Sequence, residues 1–149
     1  MTLQGSLVLL GSLIILALAA YAARLLWQLR QQKRAQQAAR AQRSSELHSQ
    51  ILLIAKACHQ EQCEPAEGAL RLVNLLRGLP GHTPEHWRAL YPDLHALYDK
   101  IADHPILDAR KALKRNERMR LDLERERWED QLGPAMLKDL ERLLEARWP

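Results

Sequence analysis

The chain has 149 residues, of which 47% are hydrophobic and 27% are charged, and it contains no Phe. This length is enough for one ordinary domain. Ala, Leu, Arg, Gln and Glu dominate the sequence, and these residues favour helices, whereas it lacks the long alternating β-branched runs of strands. The composition therefore predicts an all-α fold and argues against a sheet.

An uncharged apolar run opens the chain and predicts a transmembrane anchor over residues 1–27. Residues 3–23 carry no charge, and about 20 apolar residues are enough to cross a bilayer core. The side chains expected in lipid are those of Leu3, Leu7, Leu10, Ile14, Leu18 and Ala23. A cleaved signal peptide is the alternative, because small residues within 17–22 resemble a cleavage site. A signal peptide, however, carries its positive charge before the apolar run, and here the charge follows it.

Basic residues follow the apolar run and predict its orientation. Six Lys or Arg and no Asp or Glu lie in residues 24–45, and the first four are Arg24, Arg30, Lys33 and Arg34. By the positive-inside rule, the N-terminus lies outside and the rest of the chain in the cytoplasm. Of the 22 basic residues, 16 then remain after residue 45, against 18 acidic residues. The basic excess therefore belongs to the membrane flank, where it suits anionic headgroups, and it does not indicate a nucleic-acid-binding domain.

Residues 28–45 separate the anchor from the rest of the chain. They are rich in helix formers, but Leu29 is their only large aliphatic residue. A coiled coil needs a sustained apolar seam. The segment is therefore predicted to be a basic, solvated helical stalk, with a flexible polar linker as the alternative.

A cytoplasmic helical domain is predicted over residues 46–149. Its first helix shows one apolar face from Leu47 to Cys58 and is expected to end near Glu64, because Pro65 disfavours helical geometry at the residue before it. Three further helices are expected to begin at prolines that suit the first helical position, namely Pro65, Pro84 and Pro92. Thr83 adds a capping hydroxyl before the second of these prolines.

A long charged helix is predicted from Ile106 to Gln131. Its expected inward side chains are Ala109, Ala112, Leu113, Met119 and Leu123, and its outer face is expected to pair Arg118 with Asp122, Arg120 with Glu124 and Arg125 with Glu129. Gly133-Pro134 is expected to break or kink this helix. A last helix then carries Met136, Leu137, Leu140, Leu143 and Leu144.

The stretch AKACHQEQCE, residues 55–64, holds both cysteines and one histidine. A disulfide is disfavoured, because Cys58 and Cys63 would lie about 8–9 Å apart on one continuous helix and the expected compartment is reducing. A bridge would require the helix to end before Cys63. His59 and Cys63 supply two possible metal ligands, whereas a structural zinc needs four. Packing is the favoured interpretation of this stretch, and a thiol or metal site at His59 and Cys63 is the alternative.

Two surfaces of the long helix are candidates for binding. The basic stripe Lys111–Arg118 could contact an anion or RNA, but it lacks interleaved aromatic residues, and a solvated helix face is the favoured interpretation. Arg118, Arg125 and Trp128 form a tentative interaction surface, because Trp128 is a large aromatic residue among charges. The alternative is that Trp128 simply covers the last helix. No phosphate-binding loop or catalytic motif occurs, so neither a cofactor nor enzymatic activity is expected.

Four stretches, ILLIAKA, QCEPAEGALRLVNLLRGL, YPDLHALYDKIADHP and LDARKALKRNERMRLDLERERWE, follow the apolar N-terminal run. With that run, they resemble a family of small gammaproteobacterial proteins classed as a domain of unknown function. The resemblance covers nearly the full chain. It implies a membrane-anchored helical domain without an assigned activity, and it brings no catalytic residues.

The expected function is therefore that of a single-pass protein of a bacterial inner membrane. Its domain would act as a non-enzymatic adaptor or scaffold for a cytoplasmic protein, and homo-oligomers are a further possibility. The alternative is a protein that contacts anionic lipid or RNA through the basic stalk and the stripe Lys111–Arg118. The sequence itself names neither partner nor pathway.

Overall fold

The structure, a computed structural model, describes residues 3–147 and confirms the predicted all-α fold. The described residues form six α-helices: α1 Leu3–His59, α2 Pro65–Gly78, α3 Pro84–Leu90, α4 Pro92–Ile101, α5 Leu107–Lys111 and α6 Arg115–Glu145. Three of them, α2, α3 and α4, begin at the prolines expected from the sequence, because proline's fixed φ suits the first helical position. The Thr83 hydroxyl accepts a hydrogen bond from the His86 N–H at 3.4 Å, as expected for the cap of α3.

Contacts divide the chain into two compact units, with the boundary along the sequence between Arg43 and Ser44. The first unit consists of the N-terminal part of α1, which is long and apolar enough to cross a membrane. Its described residues, 3–43, have exposed side chains, among them Leu3, Leu7, Leu10, Ile14, Leu18 and Ala23 of the apolar run and Arg24, Arg30, Lys33 and Arg34 beyond it. Residues 28–45 are helical throughout.

The second unit is a helical bundle with one apolar core. The end of α1 contributes Ile51 and Ala55, α2 contributes Leu72 and Leu76, α4 contributes Leu94 and Leu97, and α6 contributes Met136, Leu140 and Leu143; all nine side chains are fully buried. Burying a Leu or Ile side chain stabilises a fold by about 1.5–3 kcal/mol. The side chains that meet in this core thus hold α2, α4 and α6 against the last turns of α1.

Two predicted helix boundaries are wrong. Helix α1 ends at His59 instead of near Glu64, because Glu61 adopts a left-handed backbone conformation with φ of 58° that a continuing helix does not allow. Likewise, the predicted helix from Ile106 to Gln131 is interrupted between Lys111 and Arg115. There the Glu117 carboxylate accepts a hydrogen bond from the Lys114 N–H at 3.0 Å and so caps the start of α6.

Helix α6 also continues through Gly133 and Pro134, where a break or kink was expected. Pro134 lies on the exposed side of the helix, so water can reach the carbonyl group that loses its backbone partner there. Gly133 lies on the buried side, and a Cβ atom there would be 3.7 Å from Pro65 Cγ. The predicted long helix and last helix are therefore joined in one helix of 31 residues.

The predicted inward side chains of the long helix are the clearest error. Ala109, Ala112, Met119 and Leu123 are exposed, and Leu113 is half-buried. Met119 and Leu123 each keep 55% of their surface exposed. The N-terminal part of α6 buries other positions instead, so two aliphatic side chains that were assigned to the core lie on the surface.

Candidate interaction surface

The predicted basic stripe is divided between two helices and partly neutralised. Arg110 Nη2 lies 2.7 Å from the Asp122 carboxylate, and Lys111 Nζ lies 3.4 Å from the Asp108 carboxylate. Arg115 and Arg118 are exposed at the start of α6. Asp122 pairs with Arg110, whereas the sequence suggested Arg118. These ion pairs lower the positive charge on α5 and α6 that would be available to bind a polyanion.

Arg118, Arg125 and Trp128 do not share one environment. Arg118 is exposed, whereas Arg125 and Trp128 are half-buried. Arg125 Nη2 lies 3.7 Å from the Glu64 carboxylate, and its Nε is buried without a hydrogen-bond partner. The Trp128 ring packs against the core, and Lys100 Nζ lies 4.6 Å from its centroid. Trp128 thus covers part of the bundle through a cation–π contact with α4.

The exposed surface of α6 instead centres on its two misassigned aliphatic residues. Met119 and Leu123 lie one turn apart, on the side of the helix that faces away from the buried residues Asp139 and Leu143. Charged and polar side chains surround them. We call this surface the outer face of α6; its exposed members are Arg115, Asn116, Met119, Arg120, Leu123, Glu126, Arg127 and Asp130.

Two carboxylates on the inner side of α6 fix the helix in place. Glu129 accepts a hydrogen bond from the Ala66 N–H, at the start of α2, at 3.0 Å. Asp139 accepts hydrogen bonds from the Asp93 and Leu94 N–H groups, at the start of α4, at 2.8 and 3.0 Å. Helix N-termini leave such N–H groups unpaired and carry a positive partial charge, which a carboxylate stabilises.

Sequence reasoning did not identify these carboxylates as caps. The residues that precede the two helices, Glu64 and Tyr91, make no capping hydrogen bond through their own side chains. Both helices begin at a proline that no Ser, Thr, Asp or Asn precedes, and this pattern indicates that another group must cap them. The pattern does not indicate which carboxylate, distant in the sequence, provides that cap. Asp139 is fully buried, and Arg142 on the same helix forms an ion pair with it.

The cysteine-containing stretch belongs to the bundle. Cys58 is buried at the end of α1, outside the apolar run at 3–23, and burial raises the pKa of its thiol to about 12, with a contribution from neighbouring Cys63. Cys63 is half-buried, and its Sγ lies 3.6 Å from the Glu64 carbonyl oxygen. His59 Nε2 lies 3.2 Å from the Glu141 carboxylate. Within residues 3–147, no group of three or more His, Cys, Asp or Glu side chains is arranged to hold a metal ion.

One titratable side chain is buried in the bundle without full hydrogen bonding. His95 on α4 is 2% exposed, and its Nδ1 lies 2.8 Å from the Tyr91 carbonyl oxygen. Among the described residues, its Nε2 is one of the buried side-chain atoms without a hydrogen-bond partner. Burial lowers the pKa of His95 because the charged form loses water. The neutral imidazole is therefore the form that the bundle accommodates.

Comparison with known proteins places the chain among proteins without an assigned activity. The model of a family described as "Protein of unknown function (DUF2489)" matches residues 15–143. An uncharacterised protein of Haemophilus influenzae is 37% identical over 132 residues, which cover 89% of this chain and 87% of that protein. No solved structure matches the chain. The match covers the end of the apolar run and nearly all of the bundle.

Proposed function

The chain belongs to the DUF2489 family, and from this premise we propose that it is a membrane-tethered, non-enzymatic adaptor that holds a protein partner at the bacterial inner membrane. One observation carries the proposal. The same chain joins an exposed apolar helix, long enough to cross a bilayer, to a bundle that closes its own apolar core. Such an exposed apolar helix would be unfavourable in water, because it would leave many aliphatic side chains in contact with solvent.

The orientation that we propose puts the bundle in the cytoplasm. Six basic residues and no acidic residue follow the apolar run before Glu46, and cytoplasmic flanks carry such an excess. A reporter that is active only in the cytoplasm, fused after Pro149, should be active, and one that is active only outside should not be. The opposite result would overturn the orientation.

The adaptor role is tested by co-purification. Full-length protein is solubilised gently from native membranes, beside a control chain that stops after Arg43 and keeps the apolar helix and the basic flank. We expect a defined protein to be recovered with the full-length chain and to be missing from the control. Substitution of the exposed Arg118 by Glu then tests whether the tentative interaction surface contributes to that recovery.

A charge-driven function is the competing outcome of the same experiment. If both chains recover only anionic lipid or RNA, and the amount falls steeply as salt is raised, the contact is electrostatic and belongs to the basic flank. That result would overturn the adaptor proposal. Lys111, the first residue of the stripe Lys111–Arg118, pairs with Asp108, and Arg110 beside the stripe pairs with Asp122; both pairs argue against the second half of this alternative.

A further inference from the structure

The outer face of α6 combines exposed aliphatic side chains with an uneven distribution of charge. Its N-terminal part carries Arg115 and Arg120 and no acidic side chain, whereas its C-terminal part carries Glu126 and Asp130 beside a single basic residue, Arg127. Met119 and Leu123, each 55% exposed, lie where the two parts meet. A single exposed aliphatic residue is ordinary. An exposed pair between regions of opposite charge fits a partner surface with the reverse order of charge.

We propose that this partner is the outer face of α6 in a second copy of the chain, packed antiparallel. An antiparallel arrangement sets the basic part of each helix against the acidic part of the other, whereas a parallel arrangement would set like charges together. Rotation about a two-fold axis makes the surface complementary to itself, as in most homodimers. A second copy of the chain is therefore enough to pair both the basic and the acidic part of the helix with opposite charge.

Helix geometry gives the register of the contact. If Met119 of one copy packs on Leu123 of the second copy, the two-fold axis passes close to position 121. Arg115 and Glu126 then lie at nearly equal distances on either side of that axis, about 9 and 8 Å along the helix at about 1.5 Å per residue. Because both side chains flank the same edge of the outer face, Arg115 of each copy meets Glu126 of the other.

The contact is small, so it depends on confinement in the membrane. Stable dimers in solution bury roughly 1,000 Å² or more, and two half-exposed aliphatic side chains per copy contribute only part of that area. The anchor proposed above would hold two copies in one bilayer, which raises their effective concentration. A contact that dissociates in dilute solution is then populated in the membrane. The contact does not depend on the adaptor role, since it requires only the anchor and α6.

Energy transfer between full-length chains in lipid vesicles tests the proposal. Donor and acceptor fluorescent proteins are fused after Pro149, and the reference is the chain that stops after Arg43 with the same fusions at the same density. We expect the full-length chain to transfer more energy than the reference. Leu123→Glu should remove more than half of this excess, because it places a carboxylate in the apolar centre of the contact. Leu90→Glu is the matched control, since Leu90 is 43% exposed on α3 and lies outside the outer face.

A charge exchange tests the register. Arg115→Glu and Glu126→Arg should each lower the excess, because each places like charges at both ends of the antiparallel contact. The two substitutions together should restore it, since the pairs re-form with reversed sign. Both residues are exposed and three turns apart, so no pair within one chain explains a rescue. Helical circular dichroism of each variant confirms that the bundle stays folded.

Three results would overturn the proposal: no excess over the reference, no effect of Leu123→Glu, or failure of the double charge exchange to restore energy transfer. None of these results depends on recovery of a cytoplasmic protein. The adaptor proposal and the self-association proposal can therefore fail separately.

Discussion

Asp139→Ala is the substitution that tests most directly how the bundle is held together. The carboxylate is fully buried and accepts hydrogen bonds from the Asp93 and Leu94 N–H groups. Alanine leaves the buried Leu94 N–H group without a partner, at a cost of about 1–3 kcal/mol, and does the same to the partly buried Asp93 N–H group at a smaller cost. It also removes a negative charge from the N-terminus of α4, worth up to about 2 kcal/mol when partly buried. The side chain of Arg142 loses its partner but is 58% exposed, so water replaces the ion pair.

We therefore expect Asp139→Ala to lower the free energy of unfolding by about 3 kcal/mol or more. For a domain of this size, that corresponds to a fall in Tm of about 12–24 °C. The assay is urea and thermal unfolding of the full-length chain in micelles, followed by tryptophan fluorescence and circular dichroism. Asp130→Ala, an exposed aspartate on the same helix, is the matched control and should change stability by less than about 0.5 kcal/mol.

Asp139→Asn separates the charge from the hydrogen bonds. Both N–H groups donate to the same carboxylate oxygen, Oδ2, and an amide oxygen in its place can accept both hydrogen bonds, so the expected loss of stability is smaller than that of alanine. If Asp139→Ala changed stability no more than Asp130→Ala, the buried carboxylate would not be the cap that stabilises α4.

Three further predictions concern the bundle. Gly68→Ala should destabilise the bundle by about 1–3 kcal/mol, because the added Cβ atom would lie 2.2 Å from Cys58 Sγ. Cys58→Ala in the same chain should restore most of the lost stability, since Cys58 Cβ would be at an ordinary 3.6 Å from the added atom. An unchanged loss in the double variant would exclude the sulfur atom as the cause. A thiol reagent at about pH 8 should modify Cys63 in the folded chain and Cys58 only after unfolding, because the raised pKa keeps the Cys58 thiol protonated. The free energy of unfolding should fall as the pH is lowered from 7 to 5, because the lowered pKa of His95 leaves the unfolded chain to take up the proton near its usual value of 6.5. His95→Gln should make the free energy of unfolding depend less on pH between 7 and 5. An unchanged slope would show that His95 is not the group responsible for the dependence.

The parts of the fold that the sequence predicts are those with a strong local signal. Prolines at the first helical position locate the starts of α2, α3 and α4, and the apolar face from Leu47 to Cys58 locates the helix that enters the core. These features depend only on residues that are close in the sequence. They can therefore be predicted without knowing which helices contact each other.

The errors arise where the signal is not local. Charged residues occupy most of the N-terminal part of α6, which therefore has too few apolar residues to define a buried stripe. The prediction that Met119 and Leu123 are buried depends on these few apolar residues alone, and it is wrong. What orients this part is the Arg110–Asp122 ion pair and the hydrogen bond from Ala66 to Glu129, between residues 12 and 63 positions apart. Periodicity along one helix carries no information on such partners.

The origin of the two capping carboxylates also constrains how the bundle forms during synthesis. Glu129 and Asp139 both belong to the last helix, whereas the N-termini that they stabilise belong to α2 and α4. On the ribosome, α2 and α4 therefore emerge before the groups that cap them and before Met136, Leu140 and Leu143, which complete their core. Incomplete chains expose apolar surface and aggregate readily. Synthesis of α6 therefore ends this exposure, because it supplies both capping carboxylates and the last part of the core.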